Sequence, residues 1–263
     1  MQRLRLAKIR RSSLLLLAAI LCGGMTHAVE LRTAAQPNTP KFYRINGQQT
    51  GISYDIIQAI QRVDPTLRFT GYEQEIPTKR IEAMLEQGQL DVYVGFLITP
   101  ARQRRFDFID VPLFSPQARL ISRKDDPLTI QSLAELLPLG KDGIVLTTRG
   151  TPLVEELQQL QPGLLIDAGT DDNELNLQKL RRKRARAFYQ FDFMLAHALR
   201  QTGLADQVRW QPYRGNSEIQ YMAISRNVPA ETRQRLQQAL EKLHAKGELQ
   251  RIYQKYLQSP ASE

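Results

Sequence analysis

The chain has 263 residues, enough for one large or two modest domains. With 42% hydrophobic and 24% charged residues and a single cysteine, it is neither a disordered chain, a collagen-like repeat nor a disulfide-rich miniprotein. Its net charge of +9 includes five basic and no acidic side chains from residues 1–28, and the remainder holds 31 basic and 27 acidic ones. That near balance gives no indication of a nucleic-acid partner.

Residues 1–28 have the order of a secretory signal peptide. Basic side chains between Arg3 and Arg11 precede an apolar run, 14–21, which is too short to span a membrane. Thr26 and Ala28 then place small residues at the two positions that a signal peptidase inspects. We therefore expect a signal peptide over 1–28 and a periplasmic mature protein, with a retained membrane anchor as the alternative.

The mature chain has few residues suited to redox or metal chemistry. Its one cysteine, Cys22, falls within the expected leader, so cleavage leaves no disulfide, thiol nucleophile or thiolate ligand. His197 and His244 both lie in helical patterns, where histidines usually serve packing or solvation. The sequence therefore predicts no metal site, no cofactor and no catalytic residue.

From Val29 onward, short apolar strands alternate with amphipathic helices, which predicts an α/β fold. The strands predicted for a first module are 29–35, 67–72, 91–96 and 119–123. The helices predicted between them are 53–62, with Ile52, Ile56 and Ile60 on one stripe, and 77–87, which Gly88 ends.

A second module follows the same pattern. A short helix is predicted to open at Ser132, and another at Thr151-Pro152. The remaining predicted strands are 144–148, 164–167, 186–190, 208–211 and 221–225, and the remaining helices are 171–184, 192–201 and 229–256. The last helix is predicted to break or bend at Gly247.

A set of short motifs occurs in a fixed order between Gly51 and Arg123. They are Gly51-Ile52-Ser53-Tyr54-Asp55, Leu85-Glu86-Gln87-Gly88-Gln89-Leu90-Asp91-Val92, Ile98-Thr99-Pro100-Ala101-Arg102, Phe106-Asp107-Phe108, Pro112-Leu113 and Ser115-Pro116. In order and spacing the chain resembles the bacterial extracellular solute-binding proteins of family three, the polar amino-acid-binding components of ABC importers. The C-terminal strand and helix resemble that family's ending, so the resemblance extends over residues 29–257.

The resemblance implies a two-lobe periplasmic-binding-protein fold of type II, in which each lobe is a mixed sheet flanked by helices. Lobe one would comprise 29–119 plus 220–263, and lobe two 124–215. Hinge crossings are expected near 120–123 and near 218–222. The ligand would lie in the interlobe cleft, where open α/β sheets usually bind small molecules.

Thr99 and Arg102 are the first candidate binding residues, because they follow a buried strand and should lie at its mouth. A guanidinium there can hold a carboxylate through two parallel charge-assisted bonds, and Thr99 can add a hydroxyl. The alternative is a surface salt bridge. The resemblance implies that Arg102 holds the ligand's α-carboxylate. It also implies a Ser or Thr two positions before Thr99, where this chain has Leu97.

Gly150 and Thr151 are the candidates from the second lobe. They lie at a predicted helix start, where free backbone N–H groups attract anions and glycine permits close approach. A plain capped helix is the alternative. Together with Arg102, Thr151 could hold one carboxylate from both sides of the cleft.

The amine-binding position and the side-chain wall complete the candidate site. The resemblance implies an Asp directly after strand 186–190, where this chain has Phe191, with Asp192 one residue later. A local bulge could bring Asp192 into place as partner of an ammonium group. Phe42 and Tyr43 match the family's side-chain wall, and a packing role for both is the alternative.

The function indicated by this reasoning is a periplasmic solute-binding protein, acting as a monomer and not as an enzyme. It would deliver a small carboxylate-bearing ligand, an amino acid or an acid without the α-amine, to the membrane subunits of an ABC importer. A sensory ligand-binding protein of the same fold is one alternative. A cyclohexadienyl-dehydratase-like enzyme is another, with Glu73, Glu75 or Asp192 as general acid.

Overall fold

The computed structural model describes residues 28–36 and 40–258. The predicted leader, except Ala28, lies outside these ranges. Within them, no helix is both long and apolar enough to cross a bilayer.

The described residues form strands and helices in alternation. The strands are β1 (Val29–Arg32), β2 (Tyr43–Ile45), β3 (Gln48–Thr50), β4 (Leu67–Thr70), β5 (Val92–Leu97), β6 (Asp107–Phe114), β7 (Gln117–Arg123), β8 (Val145–Leu146), β9 (Ile166–Asp167), β10 (Ala187–Phe191), β11 (Val208–Ser217) and β12 (Gln220–Ile224). The α-helices are α1 (Ile52–Val63), α2 (Thr78–Glu86), α3 (Pro100–Gln103), α4 (Leu153–Leu160), α5 (Asn173–Arg181), α6 (Asp192–Thr202), α7 (Ala230–Ala245) and α8 (Glu248–Leu257). A 3₁₀ segment covers Leu133–Gly143.

The first unit is built from both ends of the described chain. Strands β1 and β4 pair in parallel, and β12 lies between β5 and β6, antiparallel to both. The amide of Asp91 donates to the Arg32 carbonyl at 2.9 Å, which places β1 beside β5. Helices α1, α7 and α8 pack on one another beside this layer. The predicted α1 stripe is confirmed, because Ile52, Ile56 and Ile60 are fully buried.

The second unit is one mixed sheet of five strands in the order β11-β7-β10-β8-β9. Strands β10, β8 and β9 run parallel, whereas β7 is antiparallel to β10 and β11. Helices α5 and α6 pack on each other and on β10. The predicted α/β class with mixed sheets is therefore confirmed.

The chain passes between the two units at two adjacent places. The first is Ser115–Pro116, between β6 and β7, and the second is Glu218–Ile219, between β11 and β12. The amide of Glu218 donates to the Pro116 carbonyl at 3.0 Å, so the two crossings run side by side. The expectation of a first crossing near 120–123 was wrong, because Gln117–Arg123 already pairs with β10 and β11 in the second sheet.

Strands β2, β3 and β6 were not predicted, whereas the break in the last helix was. The hairpin β2–β3 was not predicted, although its turn, Asn46-Gly47, has the left-handed φ values of 51° and 80° that favour this dipeptide. Strand β6 was also missed, because Asp110 and Pro112 interrupt its apolar pattern on exposed positions. The break at Gly247 is confirmed, since its φ of 66° separates α7 from α8.

Helices α6 and α8 join the units at a second place. The Tyr253 hydroxyl donates to the Asp192 carboxylate at 2.6 Å, and the Arg200 guanidinium donates to the Tyr256 carbonyl at 3.2 Å and to that of Gln258 at 2.7 Å. We call this contact the α6–α8 seam. The two units are therefore connected both through the crossings and through the seam.

Candidate functional site

Arg102 lies where the sequence predicted, directly beyond the end of β5. Thr99 is the N-cap of the short helix α3, and its hydroxyl oxygen accepts the Arg102 amide at 3.2 Å. Pro100 takes the first helical position, where an N–H group would have no partner within the helix, so its absence costs no hydrogen bond. Thr99 therefore fixes the backbone from which Arg102 projects.

The Arg102 guanidinium is held on three sides. Its Nε donates to Glu82 at 2.9 Å, its Nη1 donates to the Leu97 carbonyl at 2.9 Å, and its Cζ lies 4.3 Å from the centre of the Phe96 ring. The side chain is 19% exposed, and Nη2 makes no hydrogen bond with the described residues. Glu82 also binds Arg105 at 2.9 Å. The salt-bridge alternative is thus realised on one edge of Arg102, while another edge stays available to a ligand.

The predicted helix start at Thr151 needs a correction. Helix α4 begins at Leu153 with Pro152 as its N-cap, and the Thr151 hydroxyl donates to the Thr148 carbonyl at 2.7 Å instead of capping. The Thr151 amide is also bonded to that carbonyl, at 3.3 Å, in a turn. Gly150 is exposed at a φ of 78°, and no atom lies within 4 Å of the position its Cβ would take. The loop therefore leaves open space beside Gly150, whereas the hydroxyl and the amide of Thr151 are both already hydrogen-bonded within the loop.

A buried polar cluster at the carboxyl ends of the parallel strands β8 and β10 was missed by sequence reasoning. Gln190 donates to the Thr148 hydroxyl at 2.7 Å and to Asn173 at 3.0 Å, and Thr148 donates to Asn173 at 2.6 Å. Polar residues after parallel strands are the signal that could have identified it, because ligands of α/β sheets bind at those strand ends.

Asp192 lies at the α6–α8 seam. One of its carboxylate oxygens accepts the Tyr253 hydroxyl at 2.6 Å and the Phe193 amide at 2.7 Å. Burial raises the pKa of the Asp192 carboxyl, although these two bonds oppose the shift. Phe191, which takes the position before it, is buried at 6% exposure. The structure therefore commits one oxygen of Asp192 to contacts within the protein.

Phe42 and Tyr43 pack against the protein in different ways. Phe42 is 1% exposed within the main core. The Tyr43 ring meets the His197 ring of α6 edge-on, with centroids 4.7 Å apart. Both contacts correspond to the packing role that the sequence left open as the alternative.

Lys41 is a cation that sequence reasoning did not single out. Its Nζ donates to the Gly95 carbonyl at 2.6 Å and to the Gln220 side chain at 3.2 Å. Burial, followed by the positive charge of Arg102, lowers the pKa of Lys41 to about 8, against an opposing effect of Glu218. Lys41 therefore adds a second cation to the surroundings of Arg102.

The Glu218 carboxylate faces these cations, and the Glu156 carboxylate lies near Glu218. Burial, followed by the charge of Glu156, raises the pKa of Glu218, whereas Lys41 and Arg102 lower it. Glu156, on α4, accepts the Tyr189 hydroxyl at 2.7 Å. The first unit thus contributes the positive charges, and the second unit and the crossing contribute the negative ones. A small ligand carrying both charges matches that arrangement.

Two further features of the described residues concern metal binding and a surface depression. In the ranges that the structure describes, no group of three or more His, Cys, Asp or Glu side chains could hold a metal ion. A depression of about 270 Å³ lies elsewhere on the second unit, at the end of β7 away from the crossing. Its lining is Arg123, Lys124, Asp125, Leu177, Arg181, Lys183, Leu204, Gln207 and Val208, and none of the candidate residues belongs to it.

Comparison with protein families gives one match over most of the chain. The family described as bacterial extracellular solute-binding proteins, family 3, matches residues 31–259. A comparison with curated proteins found no match.

Solved structures with the same architecture are numerous and distant in sequence. Substrate-binding domain 2 of GlnP from Lactococcus lactis, in an open conformation, is 22% identical with a TM-score of 0.69, covering 88% of this chain and 97% of its own. An ancestral arginine-binding protein bound to arginine is 21% identical with a TM-score of 0.65, covering 88% and 100%. An ancestral amino acid-binding protein, a precursor of cyclohexadienyl dehydratase, is 23% identical with a TM-score of 0.64, covering 87% and 95%. These likenesses show the two-lobe type II periplasmic binding fold.

Proposed function

This chain belongs to the bacterial extracellular solute-binding proteins of family 3, and on that premise we propose that it captures an amino acid in the periplasm for an ABC importer. Its partners would be a small ligand bearing a carboxylate and the membrane subunits of that importer. The observation that carries the proposal is the Arg102 guanidinium, which is fixed on three sides and has Nη2 available.

Preorganisation is what makes Arg102 suitable for this role. Glu82, the Leu97 carbonyl and the Phe96 ring hold the guanidinium in one orientation before a ligand arrives. A planar donor that is already ordered loses little conformational entropy when it binds a carboxylate. The contact with Glu82 does not neutralise the region, because Arg105 shares that carboxylate and Lys41 adds a further positive charge.

An amino acid, rather than a simple acid, is supported by the presence of both charges around the crossing. Glu218 lies opposite Lys41 and Arg102, with Glu156 near it, and could balance an ammonium group. Two of the structures with this fold are described as amino acid- or arginine-binding proteins. Gly150 belongs to the second unit, and the open space beside it would let a ligand approach that unit's backbone closely.

Calorimetry on Arg102 and Arg105 variants tests the proposal. The probes are the twenty common L-amino acids, screened first by thermal shift because a ligand that binds only the folded state stabilises it. Arg102→Ala should weaken binding of the best amino acid by about 2–5 kcal/mol, as expected when one partner of a desolvated charge pair is lost. Arg105→Ala is the matched control, since it removes the other cation from Glu82 while Arg102 stays in place, and it should weaken binding far less than Arg102→Ala does.

Two results would contradict the proposal. If no amino acid stabilises the wild-type protein, amino-acid capture is wrong. If one does and Arg102→Ala binds it as tightly as the wild type, Arg102 is not the anchor. Circular dichroism of both variants verifies that the fold is retained.

A dehydratase-like reaction is the second candidate function, favoured by one observation. Burial raises the pKa of the carboxyl groups of Asp192 and Glu218, which is the direction that a general acid requires. One of the structures with this fold is described as a precursor of cyclohexadienyl dehydratase. Mass spectrometry of cyclohexadienyl acids incubated with the protein would detect loss of water, and turnover abolished by Glu218→Gln would support this candidate over simple binding.

A further inference from the structure

Lys41 and Arg102 form hydrogen bonds to two residues that are paired with each other in the first unit's sheet. Gln220 of β12 and Leu97 of β5 are partners in the antiparallel ladder. Lys41 donates to the side chain of Gln220, and Arg102 donates to the carbonyl of Leu97. The two cations therefore flank the same end of the ladder, next to the crossing into the second unit.

A bulge in β5 supplies the carbonyl group that binds the Lys41 ammonium. The register passes from Tyr221 opposite Phe96 to Met222 opposite Val94, so that Gly95 has no partner. Gly95 has a φ of 100°, which side-chain-bearing residues rarely adopt, and its carbonyl accepts the Lys41 ammonium. Bulges of this kind redirect groups at functional sites.

Neither Lys41 nor Glu218 has a counter-ion in the part of the chain that the structure describes. No carboxylate lies within the ion-pair distance of 4.0 Å from the Lys41 ammonium, and no cation lies within that distance of the Glu218 carboxylate. Both side chains are partly buried, and each is close enough to the other to shift its pKa. Charges withdrawn from water without a partner are unfavourable, so a ligand that neutralises both would stabilise the site.

We propose that Lys41 and Glu218 complete the ligand site, Lys41 as a second cation on the ligand's carboxylate and Glu218 as the partner of its ammonium group. This inference rests on the proposed amino-acid-binding function. The ligand class is an α-amino acid. Its carboxylate would lie at the end of the first unit's sheet, beside Lys41 and Arg102, and its ammonium group would lie beside Glu218 at the crossing.

Glu218 fits the ammonium role better than Asp192 does. Its carboxylate makes no hydrogen bond with the described residues, whereas an Asp192 oxygen already accepts two. Its backbone is fixed by the hydrogen bond from its amide to the Pro116 carbonyl. Glu218 therefore stands between the units, facing the cations of the first.

The first experiment separates the two carboxylates. The probes are the amino acid that binds the wild type most tightly in the screen of the twenty, and the same acid without its α-amine. Glu218→Gln should weaken the amino acid at least about tenfold and the amine-free acid less than about threefold, because only an ammonium needs the carboxylate. Asp192→Asn is the comparison variant and should change the affinity for the amino acid much less.

The second experiment tests Lys41 through pH. With the amine-free acid as probe, wild-type affinity should fall as the pH rises through about 8, because a neutral Lys41 no longer attracts the carboxylate. Arg102 and Glu218 are the other charged groups that face Lys41, and the Lys41→Met variant separates the contribution of Lys41 from theirs. Lys41→Met should bind about tenfold more weakly at pH 7 and lose this dependence.

Each outcome decides between the assignments. If Glu218→Gln weakens both probes equally, or Asp192→Asn alone removes amino-acid binding, Glu218 is not the ammonium partner. If Lys41→Met retains the affinity and pH profile of the wild type, Lys41 is outside the site. If the wild type binds none of the twenty amino acids, the proposed function fails and this inference fails with it.

Discussion

The Tyr253 hydroxyl, on the C-terminal helix of the first unit, donates a 2.6 Å hydrogen bond to Asp192, at the first position of a helix in the second unit. The Tyr253 ring also stacks on Phe114, with centroids 5.6 Å apart. The bond favours the ionised carboxylate, whereas burial raises the Asp192 pKa. The seam between the units thus contains a half-buried carboxylate that a phenol and a backbone amide both stabilise.

Tyr253→Phe should destabilise the folded protein by about 1–3 kcal/mol, because the half-buried Asp192 carboxylate loses one of its two donors while the stacked ring remains. Urea denaturation at pH 7 measures the change in the free energy of unfolding.

Asp192→Asn supplies the control for this prediction. In a double-mutant cycle, Tyr253→Phe should be less destabilising when Asp192 is already Asn, because the charge that needs the donor is gone. Equal losses in both backgrounds would show that the Tyr253 hydroxyl stabilises the fold independently of the Asp192 charge.

His197 should make the protein sensitive to acid. Burial, with a smaller effect of Arg200, lowers its pKa from 6.5 to about 4. The unfolded chain therefore takes up a proton first, and stability present above about pH 6.5 is lost as the pH falls toward 4. We expect this group to account for about 2–4 kcal/mol over that interval.

The measurement is the free energy of unfolding at pH 7, 6, 5 and 4 for His197→Gln and His244→Gln. His197→Gln should lose less stability on acidification than the wild type. His244, which is exposed, is the matched control and should leave the profile unchanged. Identical slopes for all three proteins would contradict the assignment.

Gly215→Ala should destabilise the protein because a Cβ there would overlap the Tyr189 hydroxyl, which donates to Glu156. The expected loss is about 1–3 kcal/mol, typical of overpacking. Tyr189→Phe in the same chain should recover part of it by removing the overlapped oxygen. Thermal denaturation measures both changes, and a neutral Gly215→Ala would refute the close contact.

Export is predicted from the order of residues 1–28. Mass spectrometry of the periplasmic fraction of an expressing Gram-negative host should find a chain that begins at Val29. An intact or lipid-modified N-terminus would contradict the predicted signal peptide.

Periodicity predicted much of the fold because burial follows it closely. The stripe of Ile52, Ile56 and Ile60 gave α1, and Gly247 marked the break between the last two helices. Strand β6 escaped because Pro112 and Asp110 lie on exposed positions, and because the register of β6 on β12 shifts between Phe114 and Ile109. Side-chain pattern alone could not reveal that strand.

The site was less predictable than the fold. Arg102 could be placed because a single motif contains both the strand end and the helix cap. Lys41 and its acceptor Gln220 are 179 positions apart, and only the register of β12 on β5 brings them together. Glu218 is likewise positioned by its bond to the neighbouring crossing. Long-range strand pairing therefore determined what the sequence could not.

The α6–α8 seam has a mechanical consequence. A rigid body that is attached at two separate places can turn only about the line joining them. The paired crossings at Pro116 and Glu218 are one such place, and the bonds of Asp192 and Arg200 to α8 are the other. As long as both hold, the second unit has less freedom to rotate against the first than the crossings alone would allow, and loss of the seam bonds would leave the crossings to set that freedom.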